Sequence, residues 1–584
     1  MNYPKTHALC AAIAVLLAGC GGGDTAVGDA VAPTLTLSGT AATGLALADS
    51  PVAAKCASGS AETTTAADGG YQLTIPAGAL PCVLQVSGSA DGVAVVLHSV
   101  ADAGSSDGAA TTAVANITPL TEMVLAQMAG TMPSELFDNF DAAAAQQITP
   151  QAVSSASQQV VTALKDATGI DLGSIDPFKA PLVAATPSAP TAGNQYDQLL
   201  DALKLKVSTE ALPLVVNQIA AAAAAGTEAS APTLADVMTG VERGSLDGCP
   251  VAISGRYRMI DYWGRSLVRE LDFKNNKFNR GDGQLFLDIV PHATQACEFR
   301  ASGQVDGDTI EYDVVFGPAG AGAYVSRNVT QGRSTIGYIF PVQKHALSTV
   351  VGTWSFMQSG FMPGDGVQHY LGQISFAANG AVSFCDYVPA SDWACVAEPD
   401  VNETITEGPD HGFRINDGGE PAPMYAYRAP NGSVTLFGST NPSGANTQST
   451  EQTSFIAYKP APVVLPQVGT VTKYWDIVQL RLPIGGGAFQ NTTDFQRDAN
   501  TVTAVDTVAR TFSRQRASDG RPDTLLADKP VEGMRRRVAT TWDDNGTTRT
   551  ISGMVSISLP GLGMALGVSD GSGTHFLSVS PVRP

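Results

Sequence analysis

Three stretches in the C-terminal half of this chain open alike, and that repetition constrains the fold more than any other feature. Gly255-Arg256-Tyr257-Arg258-Met259, Gly352-Thr353-Trp354-Ser355-Phe356 and Thr472-Lys473-Tyr474-Trp475-Asp476-Ile477 each set an aromatic into a run that suits an opening strand. Each stretch later closes on an apolar strand, Thr335 to Phe340, Ser454 to Tyr458 and Thr574 to Val579. Between them lie Asp306-Gly307, Asn379-Gly380, Asn431-Gly432 and Asn545-Gly546, the residue pairs that tolerate the positive φ of a two-residue hairpin. The pattern predicts three consecutive β units, at 245–345, 350–460 and 467–584, related as a divergent internal repeat. All five tryptophans fall in this half.

The opening Gly-x-Trp resembles the first strand of lipocalin-like barrels, in which an aromatic plugs the base. Sandwiches with aromatic cores show the same alternation, so the C-terminal units are expected as sandwiches or lipocalin-like barrels.

The N-terminal half reads differently. From Thr34 to Asn116 short apolar alternations recur, among them Leu35 and Leu37, then Tyr71, Leu73 and Ile75, then Val83, Leu84 and Val86. Short strands at regular spacing predict a β-sandwich. Within it, Ala67-Asp68-Gly69-Gly70-Tyr71-Gln72-Leu73 resembles the T-x-x-D-G-x-Y signature of carboxypeptidase regulatory-like domains. That resemblance implies a non-catalytic Ig/transthyretin-like sandwich over 34–116. Thr118-Pro119 and Thr149-Pro150 then read as N-caps followed by proline in the first turn. Apolar stripes at helical spacing, including Val153, Val160, Val161 and Leu164, predict a helical domain over 117–244 that packs on itself. The expected fold class is therefore multidomain and mainly β, with an all-α middle.

At the N-terminus, Leu17-Ala18-Gly19-Cys20 follows an apolar run from Ala8 that is too short to span a bilayer. Lys5 precedes the run, giving the layout of a signal peptide. The four residues resemble the lipobox of bacterial lipoproteins. The resemblance implies removal of 1–19 and lipid attachment at Cys20, followed by a flexible tether over 20–33. Two or three acyl chains hold a folded chain on a membrane without a spanning helix. Gly21, where an aspartate in that family directs inner-membrane retention, implies the outer membrane, with the periplasmic or surface face left open.

The formal charge of −20 argues against a nucleic-acid partner, whose phosphates demand clustered cations. Acidic residues outnumber basic ones 21 to 7 over 1–245 and only 33 to 27 thereafter. With Cys10 removed and Cys20 acylated, six cysteines remain, an even number that suits an oxidising compartment. The domain boundaries favour pairing neighbours: Cys56 with Cys82, Cys249 with Cys297, and Cys385 with Cys395. A metal site would want closer thiol pairs, and none is expected.

No catalytic or cofactor-binding set emerges. The seven histidines form no H-E-x-x-H pair and no G-x-x-x-x-G-K-[ST] cradle occurs, and no nucleophile elbow is expected. Asp306 with Asp308, and Asp543 with Asp544, read as turn residues. Arg535-Arg536-Arg537 is the densest basic cluster and reads as a solvated strand edge. Trp263, Tyr370 and Trp393 are the candidates for stacking on a sugar or other flat ligand. The expectation is a membrane-anchored exported lipoprotein acting as a binding or scaffold protein, with a glycan or another envelope component as partner. A hydrolase of extracellular polymers with its site in the C-terminal units is the alternative, and a structural spacer the third reading.

Overall fold

The computed structural model describes residues 33–90, 92–105, 112–226, 232–279, 286–362, 366–388, 393–397, 403–408, 411–416, 421–440, 451–485, 488–544, 546–559, 561–570 and 575–584. Residues 1–32, where the signal peptide, Cys20 and most of the tether are expected, lie outside them. The fold is mainly β, with few helices and two closed eight-stranded barrels.

Two sheets lead the chain. Thr34–Thr40 sits between Gly70–Pro76 and Thr112–Val114, and a second sheet runs in the order Ser60–Thr64, Pro51–Cys56, Cys82–Ala90, Val93–Ala101. In Gly70–Pro76 every second residue is buried, which places Tyr71, Leu73 and Ile75 on one face. The Tyr71 hydroxyl finds a partner in the Ala115 carbonyl, as a buried phenol must.

Seven helices follow between Pro119 and Arg243 among the described residues. Thr118 and Thr149 cap their helices by accepting from the backbone N–H of Thr121 (3.2 Å) and Ala152 (3.1 Å). The helices and both sheets share one core, in which Leu37, Leu84 and Leu97 of the strands meet Met123, Val216 and Ile219 of the helices. Buried Glu122, in the first turn of Pro119–Ala129, reaches back to the His98 imidazole at 2.9 Å and ties helix to sheet.

The first barrel runs from Gly255–Asp261 to Arg333–Pro341, and its last strand pairs back on its first, with Met259 opposite Ile339. At its Asp306-Gly307 hairpin both residues have positive φ, 50° and 87°, as the turn requires. Aromatic rings fill its inside. Phe278 stacks on Tyr312 at 5.1 Å, Tyr257 meets Phe316 at 5.4 Å, and Phe273 stands edge-on to Phe299 at 5.8 Å.

Residues 352–458 build a nine-stranded sheet in which Gly366–Phe376 pairs both with Gly352–Met362 and with Ala381–Val388. The extra pairing returns the sheet on itself around a core of Trp354, Phe376, Phe413 and Leu436. The second barrel spans 471–581, from Val471–Gly485 to His575–Pro581.

These parts are joined by buried contacts. Phe340 of the first barrel stacks on Phe437 of the nine-stranded sheet at 4.2 Å, and the Arg258 guanidinium lies over the Tyr425 ring at 3.8 Å. Between the barrels, Trp475 donates its indole N–H to Glu298 at 2.8 Å, and Arg497 donates its Nε–H to the same carboxylate at 2.9 Å. Disulfides join Cys56 to Cys82, Cys249 to Cys297 and Cys385 to Cys395.

Candidate ligand-binding site

The two faces of a strand alternate, and in the second barrel that alternation runs opposite to expectation. Trp475, Ile477, Val555, Ile557, Leu577 and Val579 are buried in the core shared with the first barrel. Their neighbours Asp476, Val478, Ser556, Ser558, Ser578 and Ser580 line the lumen. On these strands the apolar face thus points outward into the protein and the more polar face inward, whereas Thr511–Arg516 and Pro522–Ala527 turn Phe512 and Leu525 to the lumen and Ser513 and Thr524 to the outside. Short polar side chains cannot interdigitate across the axis, so a cavity of about 920 Å³ remains. That lies within the range of small-molecule sites, roughly 300–1,000 Å³.

One part of the cavity wall is cationic. It carries Lys459, Arg514, Arg516, Arg521, Arg535 and Arg537 against only Asp476 and Asp494, in a chain whose overall charge is −20. Asp523, 1 % exposed, lies on the same inward face, screened by these cations, and serves three guanidiniums at once, Arg521 at 3.2 Å, Arg514 at 3.3 Å and Arg537 at 3.6 Å. Burial raises the Asp523 pKa, but the three arginines outweigh it and hold the carboxyl below its ordinary value. Asp498 likewise takes Arg516 and the Ser518 hydroxyl. Arg535 has no carboxylate within ion-pair distance among the described residues, and its Nε–H is buried without an acceptor. Burial first, and then repulsion from Arg514, pulls the Arg535 pKa down to about 10. Arg537 is pulled to about 10 as well, chiefly by burial.

The remainder of the lining is apolar and includes Val478, Leu480, Val502, Phe512, Leu566 and Phe576. The proline-rich segment between the nine-stranded sheet and the barrel also lines the cavity, through Ala461, Pro462, Val463, Val464 and Pro466. Asp528 pins it by accepting from the Val463 N–H at 2.8 Å and the Gly533 N–H at 3.0 Å.

The arginine triplet is therefore not a solvated edge. Met534–Arg537 is paired on both sides, with Pro522–Ala527 and Met554–Leu559, inside a closed ring. Alternation sends Arg535 and Arg537 to the lumen, while Arg536 reaches Asp570 at 3.6 Å.

The structure brings none of the three aromatic candidates to this cavity. Trp263 is half-buried, edge-on to Tyr262 at 4.8 Å, and Trp393 is half-buried against the same large core. Tyr370 packs against the core of the nine-stranded sheet. Aromatic content did not locate the site, whereas the unusual density of arginine between 510 and 537 was a usable signal. The G-x-S-x-G spacing of acyl-hydrolase elbows does occur, at 104–108 and 567–571, contrary to expectation. Ser569 closes the strand Met564–Ser569, and the next described element is the strand His575–Pro581, so no strand-to-helix elbow forms there among the described residues. Ser106 lies outside the described residues. Among the described residues no helix is long and apolar enough to cross a membrane.

No protein-family model matches the chain, and no curated protein matches it in sequence. Among solved structures it is similar to a protein of unknown function from the DUF3598 family of Nostoc punctiforme, at 11% identity and a TM-score of 0.15, covering 40% of this chain and 97% of that one. It is also similar to a double mutant of the vaccine antigen Transferrin Binding Protein B from Haemophilus parasuis, at 9% identity and TM-score 0.19, covering 55% of this chain and 65% of the other. Intact Ap-TbpB, with its N and C lobes, is similar at 10% identity and TM-score 0.18, over 55% of this chain and 66% of that one.

Proposed function

We propose that this chain is an exported, non-catalytic binding protein, held on the outer membrane by lipid at Cys20, whose ligand occupies the lumen of the C-terminal barrel. In this reading the N-terminal pair of sheets is a carboxypeptidase regulatory-like sandwich whose core continues into the helices, and this joint module carries the barrels away from the membrane. The observation that carries the binding role is the hollow, arginine-lined lumen of the second barrel, left open where the strands packed on the first barrel turn their apolar face outward. A closed barrel that turns serines and arginines inward forgoes a close-packed interior, and such a departure from ordinary packing is expected at a functional site.

Two measurements test the reading. Mass spectrometry of small molecules released from the exported wild-type protein should find a stoichiometric compound that is missing when Ser556→Trp fills the lumen. Equal recovery from both proteins would place the ligand elsewhere, and a wild-type protein carrying nothing and taking up nothing from an envelope extract would refute the binding role. Separately, Cys20→Ser should move the protein from the detergent phase to the aqueous phase without altering lumen binding.

A further inference from the structure

The lumen is divided chemically, and the division identifies a class of ligand. Met534–Arg537 is the fifth strand of the eight-stranded ring and Val471–Gly485 the first, so Arg535 and Arg537 stand on the wall opposite Val478 and Leu480. Asp476 shares that opposite wall, but Ser578 donates to it at 2.9 Å and Arg516 stands 3.8 Å away, so its charge is already engaged. On the arginine wall the balance is reversed. Asp523 is shared by three guanidiniums, Arg535 has no carboxylate among the described residues, and the Nε–H groups of Arg514, Arg535 and Arg537 are all buried without acceptors. A buried cation without a counter-ion costs stability, and an unpaired buried donor adds to that cost. An anion entering the lumen would relieve both.

Resting on the lumen-binding reading above, we propose that the ligand is an anionic amphiphile, with a carboxylate or phosphate head at Arg535 and Arg537 and an apolar tail along Val478, Leu480 and Phe576. A guanidinium pairs with either head through two parallel N–H donors, so the two heads share one recognition chemistry. The apolar wall explains why the head alone is not the whole ligand: the tail gains by leaving water along surface that inorganic phosphate would leave uncovered.

Equilibrium dialysis of the full chain against dodecanoate, dodecyl phosphate, dodecanol and inorganic phosphate tests this. One of the two charged amphiphiles should bind at one per chain, and the preference between them names the head. Dodecanol and inorganic phosphate should each bind at least about tenfold more weakly, the scale of a charge-assisted hydrogen bond or a few buried methylenes. Arg535→Gln should weaken the charged amphiphile about ten- to a hundredfold and leave dodecanol unchanged. Because the variant also removes an uncompensated buried charge, the unliganded protein should unfold at the same or a higher temperature than the wild type. A lower midpoint would mean that Arg535 supports the fold and would overturn the assignment. Dodecanol binding as tightly as dodecanoate would overturn the charged head while leaving the lumen as the site. Inorganic phosphate binding as tightly as dodecyl phosphate would overturn the tail. If no probe binds while the wild-type protein still carries a compound that Ser556→Trp lacks, this inference fails and the binding role stands; if neither is found, both fail.

Discussion

The two barrels have the same strand number and the same antiparallel order, yet one is a packed core and the other a container. In the first, Tyr257, Phe278, Phe299 and Phe316 lie in one buried core, with Phe316 between Tyr257 and Phe299. In the second, the large apolar residues Trp475 and Ile477 face outward against the first barrel, and serines, aspartates and arginines share the axis with scattered apolar side chains such as Val478 and Phe512. An eight-stranded ring has an interior just wide enough either to be filled by side chains or to hold one small ligand. Which outcome results depends on which of two alternating faces turns inward, a shift of one residue in register. The container keeps its shape because its outer face is glued to a neighbour, through Trp475 and Arg497 on Glu298 and through Gln479, which accepts from the Ile336 N–H at 3.3 Å.

The comparison is broken most forcefully by truncating the large rings on the load-carrying faces. Phe299→Ala inside the first barrel and Trp475→Ala outside the second should each cost about 3–5 kcal/mol in denaturant unfolding. If Trp475→Ala cost less than about 1 kcal/mol, the outward face would not be what supports the container. Next in size is Asp523→Asn. Asp523 is 1 % exposed and is the shared counter-ion of Arg514, Arg521 and Arg537, so its loss strands buried cations and should cost about 3 kcal/mol. Replacing Arg537 by methionine in that background should recover part of the loss.

Acid should separate the barrels more gently. In the second, Asp498, Asp523 and Asp528 all lie below the ordinary carboxylate value; burial raises each, but it is outweighed at Asp498 by hydrogen bonds from Ser518 and Arg516, at Asp523 by the charges of Arg537, Arg514 and Arg521, and at Asp528 by the Val463 and Gly533 N–H groups and Arg510. In the first, Asp313 is lowered in the same way by Arg300 and Arg327, whereas burial raises Asp261 to about 6. A depressed carboxylate stabilises the fold above its unfolded value, about 3.9, and that contribution is lost as pH falls through the lower folded value. A raised one does the reverse and costs stability as pH rises from about 4 to 6. Lowering the pH from 6 to 4 should therefore favour the first barrel slightly, and going below 4 should weaken the second barrel more. Amide exchange followed strand by strand reads this out, and equal acid sensitivity of the two rings would refute it.

Much of the fold could be read from residue patterns. The N-caps Thr118 and Thr149, the hairpin at Asp306-Gly307, the three pairs of neighbouring cysteines and the opening strands around Tyr257, Trp354 and Tyr474 all announce themselves locally. The cavity does not. Alternation in Tyr474-Trp475-Asp476-Ile477 shows that two faces differ, and ordinary burial logic sends Trp475 to the barrel interior. Both faces of this strand are enclosed, one by the lumen and one by the first barrel, so hydrophobicity alone cannot say which is the inside. The arginine triplet was misleading for the same reason: a strand with polar residues on both sides looks like an edge unless the ring closes around it. Trp263, Tyr370 and Trp393 show the converse, since aromatic residues outside a repeat give no local sign of what covers them.

The smallest expected effect is also the most direct probe of filled against hollow. Val314→Ala in the first barrel and Val478→Ala in the second delete the same two methyl groups from strands of similar rings. Val314 is fully buried, so its removal loses the transfer free energy and leaves a void, about 2 kcal/mol in all. Val478 is only half-buried and borders space that already exists, so no new cavity forms and the loss should stay below about 1 kcal/mol. With an amphiphile bound the asymmetry should shrink, because a tail lying on Val478 restores the contacts that an empty lumen lacks. Equal costs for the two valines without ligand would mean that the second barrel is collapsed and packed in solution, and the contrast between core and container would disappear with it.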